Sequence, residues 1–216
     1  YTLWLGEATP QELVDLPLCR ERVENVRIFR EKSSRAQTKK AAATPQRYGT
    51  EIITSSTSVL VPKVSSERRR YIPLGFIGPE TFCSDLVFLI ADASVYQFGV
   101  LHSQFHNAWM RTVCGRLESR YRYSGGVVYN NFVWPNPTSK QREAIEACAQ
   151  AILDTRDSYP DKSLANLYDP DKMPADLLAA HRALDAAVEA AYGVNFDGDE
   201  EKIVAHLFKL YAQATA

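Results

Sequence analysis

The spacing of apolar positions divides the chain into stretches of different kind. Between Ser94 and Cys114, Val95, Phe98, Leu101, Phe105, Trp109 and Val113 recur at three- and four-residue steps, which predicts one helix with a buried face. Thr138 and Gln141 form a capping box, and Ile145, Cys148, Ala149 and Ile152 behind them carry the same period. Another helix starts at Pro174, carries Leu177, Leu184 and Val188, and stops at Gly193; a last one covers residues 200–212. A short opening helix is signalled by Thr9-Pro10-Gln11-Glu12 and interrupted by Pro17. β-branched and aromatic residues separated by turn signals predict neighbouring strands within 51–64, 70–77 and 86–90. Strand character returns over 116–134, broken by Ser124-Gly125-Gly126. The expected fold is α+β: a mixed sheet-and-helix unit over 1–135, then a small helical domain over 136–216.

Residues 20–47 stand apart. They hold nine basic side chains, few large apolar ones, and only Glu21, Glu24 and Glu31 as acids. Such a segment builds little core, and reads as a solvated helix with a flexible continuation or as an arm along phosphates. Charge follows the same division. Residues 1–135 carry 17 Lys+Arg against 12 Asp+Glu, net +5, and residues 136–216 carry 8 against 14, net −6. A basic part beside an acidic one fits a polyanion-binding surface next to an element that does not touch the polyanion.

No apolar run is long enough for a membrane span and no signal-peptide pattern opens the chain, so a cytoplasmic protein without a membrane partner is expected. The start at Tyr1 suggests a segment of a longer polypeptide. Cys19, Cys83, Cys114 and Cys148 lie far apart and read as packing residues rather than zinc ligands or disulfides. His102 and His106, four residues apart on the expected helix, have the spacing of paired zinc ligands, but no Glu lies between them and Phe105 and Trp109 are core-like. No metal site, nucleophile elbow, phosphate-binding loop or nuclease motif is found, and Asn136-Pro137-Thr138 lacks the second proline and aromatic of a base-holding methyltransferase loop. No catalytic residue is assigned.

The informative stretch is Gly115 to Ser124. On one strand Glu118, Arg120 and Arg122 would share a face. Arginine can donate two bonds to guanine O6 and N7, and glutamate can accept from cytosine N4, so the trio suits base reading in the major groove. A surface ion pair would use the same residues. Arg27, Arg30, Lys32, Arg35, Lys39, Arg68, Arg69 and Arg70 are the candidate phosphate contacts.

Several strings carry a resemblance: Val26-Arg27-Ile28-Phe29-Arg30, Val64-Ser65-Ser66-Glu67-Arg68-Arg69, Tyr71-Ile72-Pro73-Leu74-Gly75-Phe76, His106-Asn107-Ala108-Trp109-Met110-Arg111 and Tyr129-Asn130-Asn131-Phe132. In this order across most of the chain, they resemble the target-recognition region and C-terminal domain of MmeI-like, type IIL restriction-modification enzymes. Ser34 and Val133 depart from the pattern, where a basic residue and a proline are usual. The resemblance implies a parent protein with a nuclease and an adenine N6-methyltransferase domain. That parent would use S-adenosylmethionine, and Mg for any nuclease, with no cofactor in this segment. The implied partners are double-stranded DNA and the methyltransferase domain of the same polypeptide. It also implies that a Glu/Arg or Lys/Asp choice at Glu118 and Arg120 sets which way round a C·G pair is preferred. A reading of another class is a non-catalytic protein-interaction scaffold with a helical subunit-binding tail. A metallohydrolase using His102 and His106 is a third.

Overall fold

The computed structural model describes residues 3–216. They fall into two compact units, residues up to 53 with 82–85, and residues 54–81 with 86–216.

In the first unit the capping box sets the opening helix. Thr9 Oγ1 accepts from the Glu12 N–H while the Glu12 carboxylate accepts the Thr9 N–H at 2.7 Å, and α1 runs Pro10–Val14. Pro17 is the first residue of α2, Pro17–Glu31, where a missing N–H leaves no bond unmade. After it come α3, Ala36–Lys40, and a 3-10 turn, Ala41–Ala43. The guanidinium of Arg30 donates to the carbonyls of Ala41, Thr44 and Arg47 at 2.9, 3.0 and 2.7 Å. It folds the 41–47 segment back onto α2, so the basic stretch is an ordered helical hairpin rather than a loose arm. None of the three helices buries a residue fully. Order comes instead from Trp4 stacked on Phe82 at 4.2 Å, from the Tyr48 hydroxyl donating to Leu3 O at 2.8 Å, and from a bridge between Ile52 and Cys83.

The second unit holds two small antiparallel sheets. Strands β1 (Ser58–Pro62), β3 (Gly75–Ile77) and β4 (Val87–Ala91) form one, with β1 central; β2 (Val64–Ser65), β5 (Gly115–Leu117) and β6 (Arg120–Arg122) form the other, with β6 central. The strands are shorter than the expected spans, and residues 125–129 form a π-helical turn where a strand was expected. Trp109 Nε1 donates to Val128 O at 2.9 Å, which fixes that turn against the helix beneath it.

The helix expected over 94–114 is two helices, α4 (Val95–His102) and α5 (Gln104–Val113), separated by Ser103 in an extended conformation. The break frees the Gln104 N–H, which donates to Asp185 Oδ1 at 2.7 Å. The helical tail comprises α6 (Ser139–Asp157), α7 (Leu164–Leu167), α8 (Ala175–Ala191) and α9 (Glu200–Thr215). Its apolar stripes, Ile145, Ala149 and Ile152 on α6, Leu177, Leu184 and Val188 on α8, and Ile203 and Leu207 on α9, are buried with Phe98, Leu101 and Phe105. At Gly99 the backbones of α4 and α6 approach so closely that a Cβ would stand 3.0 Å from Ala149 and Ile145. The composition break at 135 therefore falls inside one packed unit.

Polar groups inside this core form a connected network, with His181 Nδ1 left without a partner among the described residues. Arg156 of α6 is buried; its Nη1 donates to Leu74 O and its Nε to the Tyr168 hydroxyl, both at 2.8 Å, and Nη2 lies 3.2 Å from the ring nitrogens of His102. Tyr168 lies 2.8 Å from His181 Nε2, His181 stacks on Tyr71 at 4.1 Å, and the Tyr71 hydroxyl donates to Asp185 Oδ2 at 2.6 Å.

Burial pushes the Asp185 carboxyl up to about 6. Because its folded value is raised, this carboxyl contributes stability that is full below about pH 4 and is lost as pH rises through about 6. Urea unfolding of wild type and Asp185→Asn should show a wild-type decline of about 2 kcal/mol over that window which the asparagine variant lacks. Parallel profiles for the two proteins would show that Asp185 does not titrate there.

Candidate nucleic-acid surfaces

In the second unit β5 and β6 form a hairpin with Leu117 opposite Arg120, Arg116 opposite Tyr121 and Gly115 opposite Arg122. Tyr121 is buried while Arg120 and Arg122 are exposed, so alternation puts both arginines on the outward face, as expected. Glycine at 115 leaves the space facing Arg122 clear. Glu118 is not on that strand. It occupies the first position of the two-residue loop and has φ +57°, while Ser119 keeps a negative φ. The expected single strand over these residues is thus corrected to a hairpin. Glu118 reaches Arg120 across its own turn, with the carboxylate 2.8 Å from Arg120 Nη2. The pair is mostly exposed, with side-chain accessibilities of 77% and 45%, so it contributes little to stability. What it does is hold an acceptor and a donor fork next to each other at a hairpin tip. Arg116, passed over in the sequence, lies over the Tyr121 ring at 4.2 Å and donates to Ser119 O, bracing the same turn.

The candidate phosphate contacts divide by partner. Arg27 pairs with both Glu24 and Glu31, Arg68 with Asp171 at 2.7 Å, and Arg70 Nη2 bonds Gln104 Oε1 at 3.3 Å. Arg30 is the carbonyl clamp described above, so its first role is to fold the first unit rather than to contact phosphate. Lys32, Arg35 and Lys39 in the first unit, and Arg69 in the second, are exposed or half-exposed side chains with no ion-pair or side-chain hydrogen-bond partner among the described residues. Among the eight, these four can receive a phosphate without first displacing an acid or a carbonyl.

His102 and His106 do not converge on a shared ligand position. His106 uses Nδ1 toward Leu101 O at 2.9 Å and Nε2 toward the Tyr123 hydroxyl at 3.0 Å. Burial lowers it to about 4, and burial with the nearby Arg156 charge lowers His102 well below the ordinary range. Both are buried core residues, and with both its ring nitrogens bonded inside the protein His106 offers no free lone pair to a metal, so the pair does not form the zinc site their spacing suggested. Among the described residues no group of three or more His, Cys, Asp or Glu side chains could hold a metal ion.

The family model for the target recognition domain of MmeI matches residues 1–136, and the model for the MmeI C-terminal domain matches residues 137–216. The chain belongs to the MmeI family. DNA methyltransferase A of Bacillus subtilis (strain 168) is 41% identical over 216 residues, all of this chain and 24% of that protein. The solved structure of the type IIL restriction-modification enzyme MmeI in complex with DNA superposes with a TM-score of 0.95 at 44% identity, covering 99% of this chain and 28% of that one. The chain thus spans about a quarter of the length of the MmeI-family relatives it matches.

Proposed function

We propose that this chain is the sequence-reading module, with its C-terminal helices, of a larger adenine N6-specific DNA methyltransferase of the type IIL kind. The observation that carries the reading is the exposed Glu118–Arg120 pair at the hairpin tip, with Arg122 on the same outward face as Arg120. Arginine forks and carboxylates on a narrow two-stranded element match what the major groove presents, a guanine O6/N7 edge beside a cytosine N4 donor. In this reading Lys32, Arg35, Lys39 and Arg69 supply sequence-independent phosphate contacts, and Glu118, Arg120 and Arg122 supply discrimination. Methyl transfer from S-adenosylmethionine, and any Mg-dependent cleavage, belong to other domains of the parent. The residues here do not fit either group: Gly125 and Gly126 form a π-helical turn bonded to Asn131 and packed on Trp109, and no acidic metal cluster occurs among the described residues. The DNA duplex and the parent's methyltransferase domain are the partners.

The test is binding of this chain to a duplex across a salt series. Affinity should fall steeply with salt, and Lys32→Ala, Arg35→Ala or Arg69→Ala should each reduce the log–log slope by about one while weakening all sequences alike. Salt-independent binding, or none with the chain self-associating, would instead favour the interaction scaffold.

A further inference from the structure

The helix α2 carries a second exposed strip that the reading above does not use. At 100° per residue, Leu18, Arg22, Asn25, Phe29 and Lys32 fall within an arc of about 80°. All five are exposed, Leu18 and Phe29 to 74% and 75%. A phenylalanine three-quarters exposed in the last turn of a 15-residue helix contributes little to the fold of its own unit. The charges around it are sorted. Glu24 and Glu31 are turned to the opposite flank and neutralised there by Arg27, and Glu21 stands only at the margin of the strip. The side chains of Arg22, Asn25 and Lys32 have no hydrogen-bond or ion-pair partner among the described residues. Residues 17–40 carry eight Lys+Arg against three Glu, net +5. The strip alternates apolar, basic, amide, aromatic and basic, which complements a polyanion with an apolar interior.

We propose that this strip is a second DNA-reading surface, with Asn25 and Phe29 on base edges and Arg22 and Lys32 on the flanking phosphates. Arg22 and Lys32 are ten residues apart, about 15 Å along the axis, so a cation stands at each end of the strip with Asn25 and Phe29 between them. Asparagine suits the N6/N7 edge of adenine, and an exposed phenylalanine suits the thymine methyl group. The inference rests on the reading of this chain as a DNA-recognition module.

Selection from a randomised duplex library, using the 216-residue chain, tests it. Wild type, Asn25→Ala, Phe29→Ala and Arg120→Ala are compared, with thermal unfolding confirming that the exposed positions leave the fold unchanged. Asn25→Ala and Phe29→Ala are each expected to relax preference on the order of tenfold at an A·T pair, at positions distinct from the one relaxed by Arg120→Ala. If Arg120→Ala relaxes the motif while both α2 variants reproduce the wild-type one, the strip does not read DNA and the hairpin reading stands. A self-association abolished by Phe29→Ala with an unchanged motif would assign the strip to protein contact and overturn the proposal. If wild type selects no motif at all, the recognition reading falls and takes this one with it.

Discussion

Replacing Arg156 with alanine is expected to destabilise the second unit by about 3 to 4 kcal/mol, read as a shift in the urea midpoint. The guanidinium is buried and donates to Leu74 O and to Tyr168, while the edge of His102 lies beside it. Removing it strips the Leu74 carbonyl and the Tyr168 oxygen of their donors in a place water does not reach, and opens a cavity where the side chain was. One effect works the other way. No carboxylate bonds this guanidinium, so its deletion also relieves the cost of holding a charge out of water. Arg156→Met separates the two contributions, since it keeps most of the volume and discards the charge; its loss should be about half that of the alanine variant. An alanine variant within about 1 kcal/mol of wild type would mean that the network is not what holds the tail to the sheet. The expected loss also bears on recognition, because Leu74 immediately precedes β3 and the same core carries α4 and α5, from which the β5–β6 hairpin emerges.

Residues whose environment is set locally were legible. The capping boxes at Thr9 and Thr138, the stop at Gly193 with φ +71°, and the apolar stripes of α6 and α8 stand where the sequence places them. The break at Ser103 was not legible, because the three- and four-residue apolar period continues across it, and what opens the helix is the Asp185 carboxylate 81 residues away. The hairpin at Glu118–Ser119 was hidden for a related reason. Leu-Glu-Ser-Arg contains no Gly, Asn or Asp to announce a turn, and strand pairing decides the conformation against local preference. The choice among basic residues needed the structure too. Arg30 and Arg35 look alike in sequence, and only the three carbonyls converging on Arg30 tell a structural arginine from a free one. Asp171 likewise lies 103 residues from the Arg68 it neutralises.

Exchanging the pair at the hairpin tip, with Glu118→Lys and Arg120→Asp together, is expected to invert the preferred orientation of one C·G pair, a change in discrimination of roughly 2 to 6 kcal/mol if each orientation contributes 1 to 3. The check is the set of duplexes selected by the variant against those selected by wild type; an unchanged motif would return both residues to the status of an ordinary surface ion pair. The backbone supplies an independent control. Glu118 holds φ +57° at the first position of a two-residue loop with a negative φ following, the pattern in which glycine is the usual occupant. A non-glycine residue there is strained, and its pairing with Arg120 is too exposed to compensate fully. Glu118→Gly should therefore leave stability unchanged or raise it by a few tenths of a kcal/mol to about 1, while discrimination at that base pair is lost. Stability and specificity moving in opposite directions at one residue is the signature of a side chain kept for what it contacts outside the fold. If Glu118→Gly lowers both, the carboxylate serves the hairpin itself, and base reading at the tip rests on the arginines alone.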